Sequence, residues 1–423
     1  MERPFRLFDG GGPYVEVHAT GAKYWRLKYR WVGKEKRLAV GVYPKVSLRS
    51  TRLLRDTAKD FCTNNAPIQQ LRKLRDSKDA NGFDTQTWNK MVELGWSGIP
   101  FPEAFGGLNF GYKGLGVVTE ETGRTLAASP LFASVWVGGT AINIGGSDEQ
   151  KSELLPQVAA GELLLALALE EGNRHAPYQI GTKAERSGAG YKLTGRKVFV
   201  LDGHIAHKLI VAARTSGGDG DRAGITLFVV DAGAVGVART RTTMVDSRNA
   251  CIVELVGVAV GADAVLGRVD GGADVLDPTL DIARIGLAAE MLGSLQECFE
   301  RTVEYLKTRE QFGVPIGSFQ GLKHRAANMF CEVELSKSVV LEALTALDEQ
   351  RDGAEIAKLA SLAKAKVGEA NHLISREGIQ MHGGIGMTDE FDIGFFMKRH
   401  AVAEQTFGDT NYHRNRYGEL EGY

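Results

Sequence analysis

Apolar residues change their spacing three times along the chain, and each change marks a new kind of element. Near the start, Trp25, Leu27, Tyr29 and Trp31 alternate strictly with Arg26, Lys28 and Arg30, which predicts a strand with one aromatic and one basic face. Asp9-Gly10-Gly11-Gly12 and Thr20-Gly21 supply turns between such short strands. From Thr51 the period lengthens. Leu53, Leu54, Ala58 and Phe61, then Trp88, Met91, Val92 and Leu94, recur at helical spacing, with Asp84 or Thr85 as the N-cap of the second helix. Apolar-periodic helices continue through Leu115 to Ala128 and Leu131 to Ile144. Between Leu163 and Leu266 the pattern shortens again to β-rich runs (Tyr191 to Leu201, Lys208 to Arg214, Gly224 to Val230, Ile252 to Val260) separated by turns such as Ser216 to Gly220.

After Asp277 three long apolar stripes return. The first is Ala288, Met291, Leu292, Leu295, Phe299, Val303 and Leu306; the second runs Leu322 to Val333; the third runs Ile356 to Ile374. With a shorter helix between Phe391 and Phe407 they predict a four-helix bundle. The chain thus divides into a basic β segment (1–49), a helical domain (51–160), a middle β domain (161–268) and a helical bundle (272–420). The fold class is multidomain α+β.

Composition narrows the function classes. The 423 residues are 43% hydrophobic and 24% charged, with a formal net charge of −1, so the whole molecule is no polyelectrolyte. The charge is uneven, however: residues 1–49 carry eleven lysines and arginines against four acids. Cys62, Cys251, Cys298 and Cys331 stand at no metal-ligand or CxxC spacing and read as buried thiols in a reducing compartment, so no metal is expected. No apolar run reaches the roughly 18 residues that span a bilayer, and the start lacks a secretory pattern. The expected location is cytoplasmic, without a membrane.

Four motifs in order carry a resemblance. They are Leu94-Gly95-Trp96-Ser97-Gly98 through Pro102 to Gly107; Glu120-Glu121-Thr122-Gly123-Arg124-Thr125; Lys307-Thr308-Arg309-Glu310-Gln311-Phe312-Gly313 continued by Pro315 to Gln320; and Gln380-Met381-His382-Gly383-Gly384-Ile385-Gly386. Together they resemble the acyl-CoA dehydrogenases, whose layout is an N-terminal helical domain, a middle β-barrel and a C-terminal four-helix bundle. The resemblance implies FAD as cofactor, an acyl-CoA substrate, an electron-transfer flavoprotein as electron acceptor, and a homo- or hetero-tetramer with a paralogous subunit. It also implies that Arg309, Phe312 and Gln320 reach the FAD of a neighbouring subunit. A guanidinium grips a pyrophosphate bidentately, Gly383 and Gly384 let backbone approach the nucleotide closely, and Gln380 bonds its adenine side.

Departures from the family pattern fall where the chemistry lies. The family's Glu-Pro-x-x-Gly-Ser-Asp turn appears as Glu170-Glu171-Gly172-Asn173-Arg174-His175, without the serine and aspartate. Its Trp-Ile-Thr-Asn-Gly strand appears as Phe199-Val200-Leu201-Asp202-Gly203, which keeps an aromatic ring at Phe199 and loses the threonine hydroxyl. Dehydrogenation needs a carboxylate within hydrogen-bond reach of the substrate's α-proton. The family's Tyr-Glu-Gly-Thr loop aligns with Phe407-Gly408-Asp409-Thr410, so Gly408 stands at the base position; the alternative place, just before Arg284, holds Ala283. Asp409 is the nearest substitute base, with capping of local backbone as its other role. Glu404 and Glu290 are further candidates, although Glu290 lies about 240° round the helix from Arg284. Arg284 either orients the base loop or thioester region, or serves in a solvent-facing ion pair. Thr410 is expected beside the cofactor.

The Thr-Phe-Gly-Asp ending, with Leu287 to Glu290, is most similar to the small subunit of bacterial pimeloyl-CoA dehydrogenase and its relatives, in which a partner chain can supply the missing base. Residues 4–48, notably Leu7 to Gly12, Thr20 to Arg30 and Leu38 to Pro44, resemble the arm domain of phage-type tyrosine recombinases, while the recombinase's catalytic domain is absent. The competing expectation is therefore a catalytically silent dehydrogenase scaffold that binds nucleic acid through residues 1–49, with Arg26, Lys28 and Arg30 on phosphates.

Overall fold

The computed structural model describes residues 52–423 in full and, ahead of them, the backbone of 5–8, 13–17, 23–31, 34–43 and 48–51. The four front strands, β1 (Phe5–Phe8), β2 (Pro13–Val17), β3 (Lys23–Trp31) and β4 (Lys34–Tyr43), pair in sequence order as an antiparallel meander. The aromatic and basic faces expected of residues 25–31 concern side chains outside the described residues.

The first helical layer comprises α1 (Leu48–Asn65), α2 (Ile68–Ser77), α3 (Thr85–Glu93) and α4 (Gly111–Arg124). Asp84 caps α3 by accepting from the Thr87 amide at 2.7 Å, which satisfies one of the helix's unpaired donors. The segment expected as one helix from Leu131 to Ile144 is wider in its first part: Phe132–Gly139 is π-helical and leads into α5 (Thr140–Gly145). π-turns are rare and gather at functional sites, and this one borders the cavity described below. A full capping box on Ser147 and Gln150 then starts α6 (Asp148–Ala159).

The β domain contains β5 (Leu165–Ala168), β6 (Lys183–Ser187), β7 (Gly190–Leu201), β8 (Lys208–Arg214), β9 (Ile225–Asp231), β10 (Val237–Thr243), β11 (Asn249–Val260) and β12 (Val265–Leu266), hydrogen-bonded in the order β10-β11-β7-β6-β8-β9-β12 with β5 parallel to β8. Of these, β5, β6 and β10 were not legible as strands. All of β5 is buried, so it shows no alternation, and most of β10 is polar and part exposed. Leu193, Leu209, Val211, Phe228 and Val253 close a core of their own inside this domain.

The bundle is α7 (Ala273–Thr308), a two-strand hairpin of β13 (Glu310–Gln311) and β14 (Val314–Pro315), α8 (Gln320–Asp348), α9 (Gly353–His382), α10 (Ile393–Gln405) and α11 (Thr410–Glu421). From Leu280 to Leu295 nearly every residue of α7 is buried, as expected of a helix walled in by others on all sides. Its Leu287, Leu292 and Leu295 join Trp136 of the first layer and Ile374 of α9 in one continuous core. That central position lets α7 carry polar groups to both the β domain and the last helices. Among the described residues no helix is long and apolar enough to cross a membrane.

Candidate active site

A cavity of about 550 Å³ lies where the β domain, the π-helical turn and the loop before α11 converge, walled by Val137, Leu169, Phe199, Leu201, Ile252 and Phe407 among others. Phe199 and Phe407 both hold positive φ angles, +52° and +57°. Such backbone is costly for an aromatic residue and persists where surroundings over-determine it, typically at functional sites. Glu170 is the one carboxylate among the described lining residues. Its side chain forms a short hydrogen bond with His175 Nδ1, and His175 Nε2 lies 2.9 Å from Arg284 Nη2. A guanidinium only donates, so Nε2 accepts and Nδ1 carries the proton, which it gives to Glu170. Burial lowers the His175 pKa, only partly countered by Glu170, in agreement with a neutral ring.

Arg284 itself is buried at 2% exposure, not in a solvent-facing ion pair. Its Nε donates to the Phe407 carbonyl at 3.1 Å and its Nη1 to Asp281 at 2.9 Å. Two more buried groups pin the same loop. Lys364 Nζ donates to the Glu404 and Gly408 carbonyls, each at 3.0 Å, and burial pulls its pKa down to about 8. His413 Nε2 donates to the Phe407 carbonyl at 3.1 Å, and burial with nearby Arg284 pushes its pKa far down.

The loop therefore has little freedom to turn, and the candidate bases are engaged elsewhere. Gly408 sits at φ +106°, and a Cβ there would lie 2.4 Å from the Tyr412 ring. Asp409, expected as the substitute base, accepts from the Tyr412 amide at 2.8 Å and caps α11; it does not line the cavity. Glu404 accepts from the Thr410 amide at 2.7 Å, and Thr410 likewise lies off the cavity wall. Glu290 is buried in ion pairs with Arg248 and Arg399. Phe199 alone of the expected cofactor residues lines the cavity.

Thr410 starts α11, whereas Arg309, Phe312, Gln320, Gln380, Gly383 and Gly384 stand in or next to the turns that end α7 and α9 and begin α8. The Tyr305 ring, one turn before Arg309, stacks on His382, next to Gly383, at 4.3 Å, so the ends of α7 and α9 meet there. Arg309, Gln320 and Gln380 are exposed, and no side-chain partner is described for Arg309. Phe312 turns the β13–β14 hairpin at φ +55° with its ring 93% exposed. A Cβ on Gly383 or Gly384 would meet nothing within 4 Å, so internal crowding does not require glycine at either place. Open backbone at the end of α9 and an exposed guanidinium at the end of α7 are groups that suit a dinucleotide's pyrophosphate. The cavity's apolar walls suit a flavin ring, although Leu201 offers no hydroxyl to it. The residues present fit FAD, whose chemistry when bound is acceptance of a hydride equivalent. Among the described residues no group of three His, Cys, Asp or Glu is placed to hold a metal ion.

His175, Lys364 and Tyr412 escaped the reading of the sequence. Only the departure at 173–175 signalled the first. Lys364 sits within an apolar stripe as one buried cation, and nothing in its spacing shows that it reaches a loop 44 residues away.

Comparison with known proteins agrees with this architecture. The patterns of the acyl-CoA dehydrogenase N-terminal, middle and C-terminal domains match residues 49–162, 167–256 and 270–420. An arm DNA-binding domain pattern matches residues 2–73, beyond the β-part and into α2. The chain is 31% identical over 349 residues to a 3-(aryl)acrylate reductase of Clostridium sporogenes, which covers 81% of this chain and 90% of that protein. Among solved structures, the Tcur3481-Tcur3483 steroid ACAD, in a variant form, superposes with a TM-score of 0.79 at 31% identity, over 88% of this chain and 98% of that one. The ChsE4-ChsE5 complex from Mycobacterium tuberculosis does so with a TM-score of 0.79 at 26% identity, over 90% and 99%. The chain belongs to the acyl-CoA dehydrogenase family, FAD-dependent flavoproteins that are oxidoreductases acting on CH–CH donors.

Proposed function

We propose that this chain is one half of a heteromeric acyl-CoA dehydrogenase, of the kind represented by the pimeloyl-CoA dehydrogenase small subunit, in which a paralogous chain supplies the base and FAD is held between the two. The observation that carries this is Gly408: the family's base position holds no side chain, and the space a side chain would need is filled by Tyr412. Ala283, at the family's alternative position, is wholly buried and has no proton to take or give. Arg309, Phe312, Gln320, Gln380, Gly383 and Gly384 are all exposed and none lines this chain's own cavity, which supports a cofactor shared with a neighbour. Two of the similar solved structures, Tcur3481-Tcur3483 and ChsE4-ChsE5, are named as pairs, which supports the same reading. Within the chain, Arg284 and His413 hold the Phe407 carbonyl, and Lys364 the Gly408 carbonyl, so their part is to shape the cavity wall. Electrons would leave to an electron-transfer flavoprotein.

Co-expression with the paralogous chain tests the proposal. The expected product is a yellow hetero-tetramer that oxidises acyl-CoA only when both chains are present and is indifferent to Asp409→Asn. Acyl-CoA oxidation by the isolated chain, abolished by Asp409→Asn, would overturn it.

A second reading rests on the arm-domain match at residues 2–73. In it the dehydrogenase scaffold is silent and the front segment binds nucleic acid. Retention on DNA that weakens with salt and requires Arg26 and Lys28 supports it; a chain that passes through a DNA column at low salt excludes it.

A further inference from the structure

Beyond the cavity already described, a second one of about 730 Å³ is lined by Tyr178, Asp281, Ile356, Tyr412 and Arg416 among others. One layer of side chains separates the two. His175 faces the first cavity and Tyr412 the second, and their rings meet edge to face with centroids 4.9 Å apart. Arg284 braces both: its guanidinium lies 5.6 Å from the Tyr412 ring centroid, and its Nη2 is 2.9 Å from His175 Nε2 and 3.4 Å from the Tyr412 hydroxyl. Asp281 accepts from Arg284 at 2.9 Å and, through its other oxygen, from Arg416 at 2.9 Å. A line of hydrogen bonds thus runs from Glu170 in one cavity through His175, Arg284 and Asp281 to Arg416 in the other.

We propose that His175, seated between Glu170 and Arg284, is the residue that closes this chain's own acyl channel, dividing one through-passage into two blind chambers. The proposal rests on the acyl-CoA dehydrogenase reading and adds to it which chain of the pair can take the thioester. Counted from Glu170 along the Glu-Pro-x-x-Gly-Ser-Asp pattern, His175 falls at the serine, so a bulkier imidazole stands where the pattern has a hydroxymethyl group. The wall is not soft. Both His175 nitrogens are bonded, and an alkyl chain pushed between His175 and Arg284 would strand a buried donor and a buried acceptor without replacing either. Beyond the wall the second chamber carries Asp277, Asp281, Arg416 and Glu419, so an acyl chain held there would lie among charged groups and would not reach the apolar walls of the first chamber.

The test compares binding of free coenzyme A and octanoyl-CoA to the full-length chain by calorimetry, which needs neither turnover nor flavin. In the native chain the two ligands are expected to bind within about twofold of each other. His175→Ser should raise affinity for octanoyl-CoA about tenfold and leave coenzyme A unchanged; that gain requires only about two methylenes to be buried. His175→Gln, whose amide oxygen can still accept from Arg284, should keep the native ratio, and Tyr412→Ala should open the wall from the opposite side should His175→Ser not fold. A native chain that already prefers octanoyl-CoA tenfold overturns the wall while leaving the family reading intact, as does a folded His175→Ser with an unchanged ratio. Failure of both ligands to bind either protein overturns the acyl-CoA reading and the wall with it.

Discussion

At Gly408 the backbone conformation and the neighbouring ring make one demand. A φ of +106° suits only glycine, and the Tyr412 ring occupies the direction a side chain would take. Gly408→Glu is therefore expected to lower stability by about 1–3 kcal/mol, the usual cost of strained backbone, and to confer no acyl-CoA oxidation on the isolated chain. A thermal melt and a turnover assay check the two halves. Recovery of activity would show that the loop can adopt the family's geometry. Arg309 is the opposite kind of residue, exposed and without a described side-chain partner. Arg309→Ala should leave the melting temperature within a degree or two and lower FAD content of the assembled enzyme at least tenfold, read from the flavin absorbance of the gel-filtered protein. The aligned motif made both positions legible, because a glycine and an arginine can be counted off in it. The obstruction by Tyr412 was not legible: it depends on where α11 turns after Asp409 caps it.

Among elements, a buried charge cluster fastens α10 to α7 and to the β domain. Arg399 of α10 is bonded to Glu290 of α7 at 2.9 Å and to Asp246 at 2.8 Å, while Arg248 reaches the same Glu290 at 3.0 Å. Burial pushes Glu290 toward the neutral form, but the two arginines outweigh it and its pKa is lowered overall. Glu290→Gln removes the described ion pair of Arg248 and leaves Arg399 with Asp246, and a cost of about 3–5 kcal/mol is expected, seen as a lowered denaturation midpoint without loss of the slope. Helical periodicity correctly put Glu290 on a different face from Arg284, since position on a regular helix follows from counting. Its partners were beyond counting, because Asp246 and Arg248 lie in a turn of the β domain more than forty residues earlier.

Over the whole molecule, protonation couples to folding through buried histidines. Burial lowers His175, takes His400 to about 4, and lowers His413 further, each beneath the ordinary value near 6.5. The unfolded chain then binds more protons than the folded one below pH 6.5. The stability these neutral rings contribute is fully present above that pH and is lost as pH falls toward about 4. Calorimetry from pH 8 to 5 should show a melting temperature that is flat above 7 and falls below 6.5, with a shallower fall in His413→Gln. At the same scale, the exposed Phe312 contributes little within one chain. Phe312→Ser should leave the monomer's melt unchanged and weaken assembly with the partner, as measured by sedimentation.

Pattern along the chain by itself determined the order of helical, β and helical domains, the three long bundle helices and the spacing of the family motifs, because periodicity and turn chemistry are local properties. It also put a glycine at 408, where the resemblance counts the family's base, since the identity of a residue needs no coordinates. Only the tertiary structure decided that Asp409 caps a helix, that Lys364 and His413 lock the loop above it, and that His175 meets Tyr412 and Arg284 in one wall. Those contacts join residues tens to more than two hundred positions apart, and their geometry is set by how α7, α9 and α11 pack against the β domain rather than by any spacing within one of them.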